Sequence, residues 1–130
     1  YEYMSTGTYR RVYNRNNTVL KMAIGKQGIK ENESEIRNYN RICSSEIQDV
    51  IDEGTCDGKK YIADIHEFDN TNKYWIIMDK VNVTPDNVSH QIANKIQNAL
   101  KSEGIYIEEI SPYNMGRLDG IPVVFDYAGT

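Results

Sequence analysis

The first 24 residues alternate with a period of two. They read as three short strands, "YEYMS", "YRRVYN" and "TVLKMAI", with Gly7 at one turn and Asn14 to Asn17 at the next. That arrangement is an antiparallel meander. In the third strand Val19, Lys21 and Ala23 fall on one face, with Leu20, Met22 and Ile24 on the other. The period then lengthens. "GIKENESEIRNYNRICSS" carries an apolar stripe of Ile36, Tyr39, Ile42 and Cys43 at helical spacing, and Glu35 borders that stripe. "SEIQDVIDEG" predicts a short second helix or turn ending at Gly54. "KYIADIHEF" and "KYWIIMDKV" are strand-like again, and the turn-rich "DNTN" between them predicts a hairpin. "TPDNVSHQIANKIQNALKSEG" predicts a helix capped by Thr84, with Pro85 at its first position and Gly104 at its stop. Its core-facing stripe is Val88, Ile92, Ile96, Ala99 and Leu100. The chain closes on extended pieces, "IYIEEI" and "IPVVFDY", joined by the turn "RLDG". There is no repeat, low-complexity linker or coiled-coil heptad.

Composition narrows the function classes. The 130 residues are 39% hydrophobic and 26% charged, with mean hydropathy −0.64, values of a folded globule rather than a disordered tail. A formal charge of −4 with dispersed basic residues predicts no nucleic-acid surface. No apolar run approaches the roughly 20 residues of a membrane span, and no signal peptide opens the chain, so a cytoplasmic protein without a membrane partner is expected. Cys43 and Cys56 lack the spacing of a zinc site and are expected to be buried or partly buried thiols.

Four stretches carry candidate chemistry. "STGTYRRV" aligns with the pattern G-x-G-x-x-G-x-V at Gly7 and Val12, while Ser5 and Arg10 stand where the pattern has its outer glycines. One glycine permits a tight turn whose N–H groups face an anion. "TVLKMA" resembles V-A-I-K and offers Lys21, with Glu31, Glu33 and Glu35 as competing carboxylate partners. Glu35 lies fourteen residues beyond Lys21 on the edge of the stripe; Glu33 points about 160° away from it at about 100° per residue, and Glu31 is in reserve one turn earlier. "YWIIMDKV" resembles the strand leading into a hinge, with Met78 followed by Asp79, Lys80 and Val81. "EISPYN" resembles D-L-K-P-E-N at Pro112 and Asn114, with Glu109 in place of the aspartate, and "DYA" twelve residues after Asn114 resembles D-F-G at Asp126.

In order and spacing these stretches resemble the protein-kinase-like fold from Gly7 to Asp126, and the wording is most similar to small bacterial and phage kinase-like proteins. The resemblance implies an α+β protein: residues 1–81 as a nucleotide-binding lobe with a five-stranded antiparallel sheet and one helix, and residues 82–130 as an abbreviated second lobe of helix and hairpin within one compact domain. It implies ATP and Mg²⁺ as cofactors. Lys21 would contact phosphates, Glu35 would hold Lys21, the Gly7 turn would face phosphate oxygens, Val12 and Val19 would cover one face of the base, and Met78 would precede a hinge of Asp79, Lys80 and Val81 whose backbone would bond the base edge. Asn114 and Asp126 would hold the metal, since Mg²⁺ takes hard oxygen donors and only one or two from protein. Glu109 would be the base of a phosphoryl, or nucleotidyl, transfer.

Departures from the pattern weaken transfer more than binding. Glu109 carries an extra methylene, and misplacement by roughly 1 Å costs on the order of 10²-fold in rate. Ile107 and Glu108 replace the histidine and arginine of the catalytic loop, and the sequence given stops four residues after Asp126, without an activation segment. A second expectation is therefore a pseudokinase-type interaction module of phage or mobile-element origin that binds a host protein. Ten tyrosines and Trp75 supply interface material for it.

Overall fold

The computed structural model describes residues 1–45, 47, 61–82, 88–108 and 110–128. Strands β1 (Glu2–Thr6), β2 (Arg10–Arg15) and β3 (Thr18–Ala23) form the meander read from the sequence. The β2–β3 turn is closed by Asn16 at φ 56°, a conformation that Asn tolerates better than most residues. Helix α1 (Gly25–Cys43) follows, then β4 (Ile65–Phe68) and β5 (Trp75–Asp79). The five strands make one antiparallel sheet in the order β1-β2-β3-β5-β4. A second hairpin, β6 (Met115–Leu118) and β7 (Ile121–Val124), turns at Asp119 and Gly120, both at positive φ, as a two-residue Asp-Gly turn requires. The fold class is thus α+β, as expected, with a five-stranded antiparallel sheet and two α-helices among the described residues.

The apolar periods place the core. Period two in β5 buries Ile76 and Met78, and the α1 stripe buries Ile36 and Ile42. Helix α2 (His90–Ser102) buries Ala93, Ile96 and Leu100, and one cluster joins these to Met115, Val123 and Val124 of the hairpin. The hairpin is tied to the rest of the molecule by backbone as well. Ala63 N–H donates to Val124 O at 2.9 Å and Val124 N–H to Tyr61 O at 2.8 Å. On its other side Gly116 leaves no room for a side chain, because a Cβ would collide with Asn82 O and Val81 Cγ1.

Several expectations are corrected. Val88 and Ser89 are not helical; α2 begins at His90 and its cap is Ser89, whose Oγ accepts from Ile92 N–H at 3.2 Å. Ser89 is as good a cap as Thr84 and lies directly before the continuous stripe, so it takes the role. Thr84 and Pro85 lie outside the described residues, as do Cys56 and nearly all of "SEIQDVIDEG". The described residues of "IYIEEI", 105–108 and 110, are not in a strand. Ile105 and Ile107 are buried with Tyr106 exposed between them, as in a strand, but Ile110 is buried out of that period, Ile107 O accepts from the Gln97 side chain and Ile105 N–H donates to Leu100 O. The partner strand of "IPVV" is instead "MGRL", from the other side of the "PYN" turn. Cys43 is exposed, because the stripe turns inward at Ile42 and leaves the next position facing out.

Candidate functional site

The site is built where the β1–β2 turn, β3, α1 and the end of β7 converge. Lys21 projects from β3 on the face of Val19, as alternation dictates, and is 5% exposed. Its Nζ lies 2.7 Å from Glu35 Oε1 on α1 and donates to Phe125 O at 2.8 Å. Glu35 has no exposed surface, and its second oxygen accepts from Tyr127 N–H at 3.0 Å. Of the three candidate carboxylates the structure thus brings Glu35 to Lys21; Glu33 is exposed, and Glu31 lies at the rim.

The sequence reading missed Arg10. It begins β2, is 6% exposed, and reaches four residues. Nη1 lies 3.0 Å from Glu35 Oε1 and 3.2 Å from Asn32 Oδ1, Nε lies 3.4 Å from Glu31 Oε2, and Nη2 lies 3.2 Å from Asp126 Oδ1. The turn before it is positioned by Gly28. A Cβ at Gly28 would collide with Tyr9 O and stand 2.9 Å from Ala23 Cα, so only glycine lets the turn lie on the first part of α1. The signal was present in "YRRVYN", where period two places Arg10 on the face of Val12. Reading position 10 as a lost glycine hid it.

Burial works against every charge in this cluster, and the partners decide each outcome. For Glu35 burial favours the neutral acid, but Lys21 and Arg10 overcome it and hold the carboxyl pKa down at about 2. For Lys21 burial dominates, aided by Arg10 and opposed by Glu35, so its pKa is lowered. For Arg10 burial also lowers the pKa, yet Glu35, with Asp126 and Glu31, carries it above its ordinary value. Among the described residues no buried side-chain nitrogen or oxygen lacks a partner.

Above the cluster opens a cavity of about 520 Å³, within the 300–1,000 Å³ range of small-molecule sites. Gly7, Val12, Val19, Lys21, Asp79, Val81 and Asp126, all proposed from sequence, line it, together with Arg10 and Phe125. Met78 does not line it; the residue is fully buried beneath, paired with Val19 across β3 and β5. At the end of β5, Asp79 N–H donates to Asp64 O, and Lys80 N–H donates to Asn17 O. Gly7 N–H donates to Arg10 O at 2.8 Å, closing the turn on itself.

The twelve-residue gap between Asn114 and Asp126 is a hairpin. Asn114 precedes β6 and Asp126 follows β7 by two residues, so antiparallel pairing returns the chain to its start, with Phe125 N–H donating to Asn114 O at 3.0 Å. Both residues line a recess of about 340 Å³ that also touches Glu31. They do not fit a divalent ion as placed. Asn114 Oδ1 accepts from Ser111 N–H at 3.0 Å within a capping box, and Asp126 Oδ1 is paired with Arg10, whose positive charge opposes a second cation there. Among the described residues no three His, Cys, Asp or Glu side chains gather as a metal cluster. Glu109 lies outside the described residues. No described helix is long and apolar enough to cross a membrane.

No family model matches the sequence, and no curated protein is similar to it at a significant level. Among solved structures, the chain is similar to a chain in "Co-crystal structure of WbdD and kinase inhibitor LY294002", with TM-score 0.54 and 12% identity. The match covers 97% of this chain and 32% of the other, so this chain spans about a third of its neighbour's length. Likeness at that identity concerns the fold alone, and the five-stranded antiparallel sheet with its helix is compatible with a small kinase-like lobe.

Proposed function

We propose that the cavity under the Gly7 turn is a nucleotide site and that ATP is its ligand. The observation that carries this reading is the Lys21–Glu35 pair at 2.7 Å, buried at the floor of a cavity walled by Val12, Val19 and Val81 on a kinase-like fold. The valines offer apolar surface to both sides of a flat base, and Lys21 offers charge to phosphates at the deep end. Because the Asp79 and Lys80 N–H groups already have partners, recognition of the base edge falls to the backbone of Val81 and the two hinge carbonyls. Phosphoryl or nucleotidyl transfer would require Glu109 as base and a second substrate surface, so binding is the better supported part of the reading.

Thermal unfolding of the purified chain with and without ATP tests it. A native-state ligand at about 100 times its dissociation constant adds ~2.7 kcal/mol, a rise of roughly 10 °C for a chain of this size. Lys21→Met should remove the rise and leave the fold intact, since Glu35 keeps Arg10 and the Tyr127 amide. A rise that persists undiminished in Lys21→Met would refute the phosphate contact.

The second reading, an interaction module of pseudokinase type, is favoured by the completeness of the charge cluster. Its cations and acids satisfy one another with no ligand. Absence of any thermal shift at millimolar ATP would select this reading.

A further inference from the structure

In the resemblance, phosphate is received by backbone N–H groups of the glycine turn and by a metal at the Asn–Asp pair. In this chain both devices are partly engaged from within. Gly7 N–H is bonded to Arg10 O, Asn114 Oδ1 accepts from Ser111 N–H, and Asp126 Oδ1 is paired with Arg10. What the cavity presents at that end is a guanidinium.

The charges divide into two layers. Glu35, with no exposed surface, accepts from both Lys21 and Arg10 and offsets one of their two positive charges. The other faces two carboxylates at the cavity's rim, Glu31 and Asp126, whose side chains are 33% and 51% exposed, one more than neutrality requires. Asp126 is therefore the partner of Arg10 most easily turned out into water. A planar guanidinium edge that already binds a carboxylate oxygen at 3.2 Å has the donor geometry for a phosphate oxygen, and the exchange replaces one anion by another with no change in the buried layer.

We propose that Arg10 is a phosphate-binding residue and that Asp126 is its built-in competitor, so that the triphosphate is held by Arg10 and Lys21 without a divalent ion. This rests on the reading of the cavity as a nucleotide site. It inverts the expectation for Asp126. A metal ligand strengthens nucleotide binding, whereas a competitor weakens it.

Calorimetric titration of the whole chain with ATP and with adenosine, each in excess EDTA and in excess Mg²⁺, separates the two. The expected result is ATP binding in EDTA that Mg²⁺ improves less than about threefold, together with ATP binding in EDTA that is several-fold tighter in Asp126→Asn. Arg10→Lys should weaken ATP by at least about tenfold, the value of one charge-assisted hydrogen bond, and leave adenosine nearly unchanged. Should Arg10→Lys fail to fold, the half-exposed Asp126→Asn decides alone. ATP binding that requires Mg²⁺ and is lost in Asp126→Asn would overturn the inference and leave the nucleotide site standing. Adenosine binding as tightly as ATP would also overturn it while keeping the base site. No binding of either ligand in either medium would remove both.

Discussion

A carboxylate with no exposed surface that accepts from a lysine at 2.7 Å, an arginine at 3.0 Å and a backbone amide at 3.0 Å gives up its proton far more readily than in water. Glu35 has a folded pKa of about 2, below its ordinary 4.5. A depressed acid stabilises the fold above the unfolded pKa, and that contribution fades as pH falls from about 4.5 toward 2. Its full size is on the order of 3 kcal/mol. Urea unfolding at pH 7 and at pH 3 should show this loss in the wild type, and Glu35→Gln should lack that component. At pH 7 Glu35→Gln should itself cost about 3–5 kcal/mol, because two buried cations lose their shared anion. An equal response of wild type and variant to acid would place the titration elsewhere. At this scale the pair was legible in the sequence: a lysine alternating with apolar neighbours and an acid on the edge of a helical stripe. The third member was not, because Arg10 was read only as a substitution within a glycine pattern.

Each element stands where one of its residues permits contact with the next. Helix α1 accepts the β1–β2 turn only because position 28 has no side chain, and through that contact Arg10 is aimed at Asn32 and Glu35. Gly28→Ala should destabilise by about 1–3 kcal/mol, the cost of overpacking, and should weaken ATP as well by lifting the turn from the helix. Chemical denaturation beside a binding titration checks both; an alanine variant of wild-type stability would mean that the turn moves aside freely. The strands were legible wherever alternation coincided with a turn residue at each end, as in residues 1–24 and 65–79. Alternation alone misled at residues 105–108, since it reports which side chains are buried and says nothing of whether a neighbouring strand exists. The same limit hid "MGRL", four residues with too little pattern to announce themselves, which become a strand through pairing with "IPVV".

Across the whole molecule, the α+β class was readable. The closure of the site was not. Arg10 and Asp126 are 116 positions apart, and Tyr127 and Glu35 are 92 apart; no local period carries information over such intervals. That closure runs through residues 125–127. Lys21 donates to Phe125 O, Tyr127 N–H donates to Glu35, Asn38 donates to Tyr127 O, and the Tyr127 hydroxyl donates to Ala63 O. Strand β3, helix α1 and the segment before β4 therefore converge on a single short stretch. The Tyr127 amide proton, held by a carboxylate in the dry interior, becomes a natural spectroscopic gauge of the whole assembly. Its resonance should lie well downfield, its exchange with deuterium should require an opening comparable to global unfolding, and both signatures should vanish together in Glu35→Gln. An amide that exchanged as fast as those of exposed β1 would mean that the helix swings away from the sheet in the resting protein. A slow one would mean that a ligand arrives at a cavity whose floor is already set.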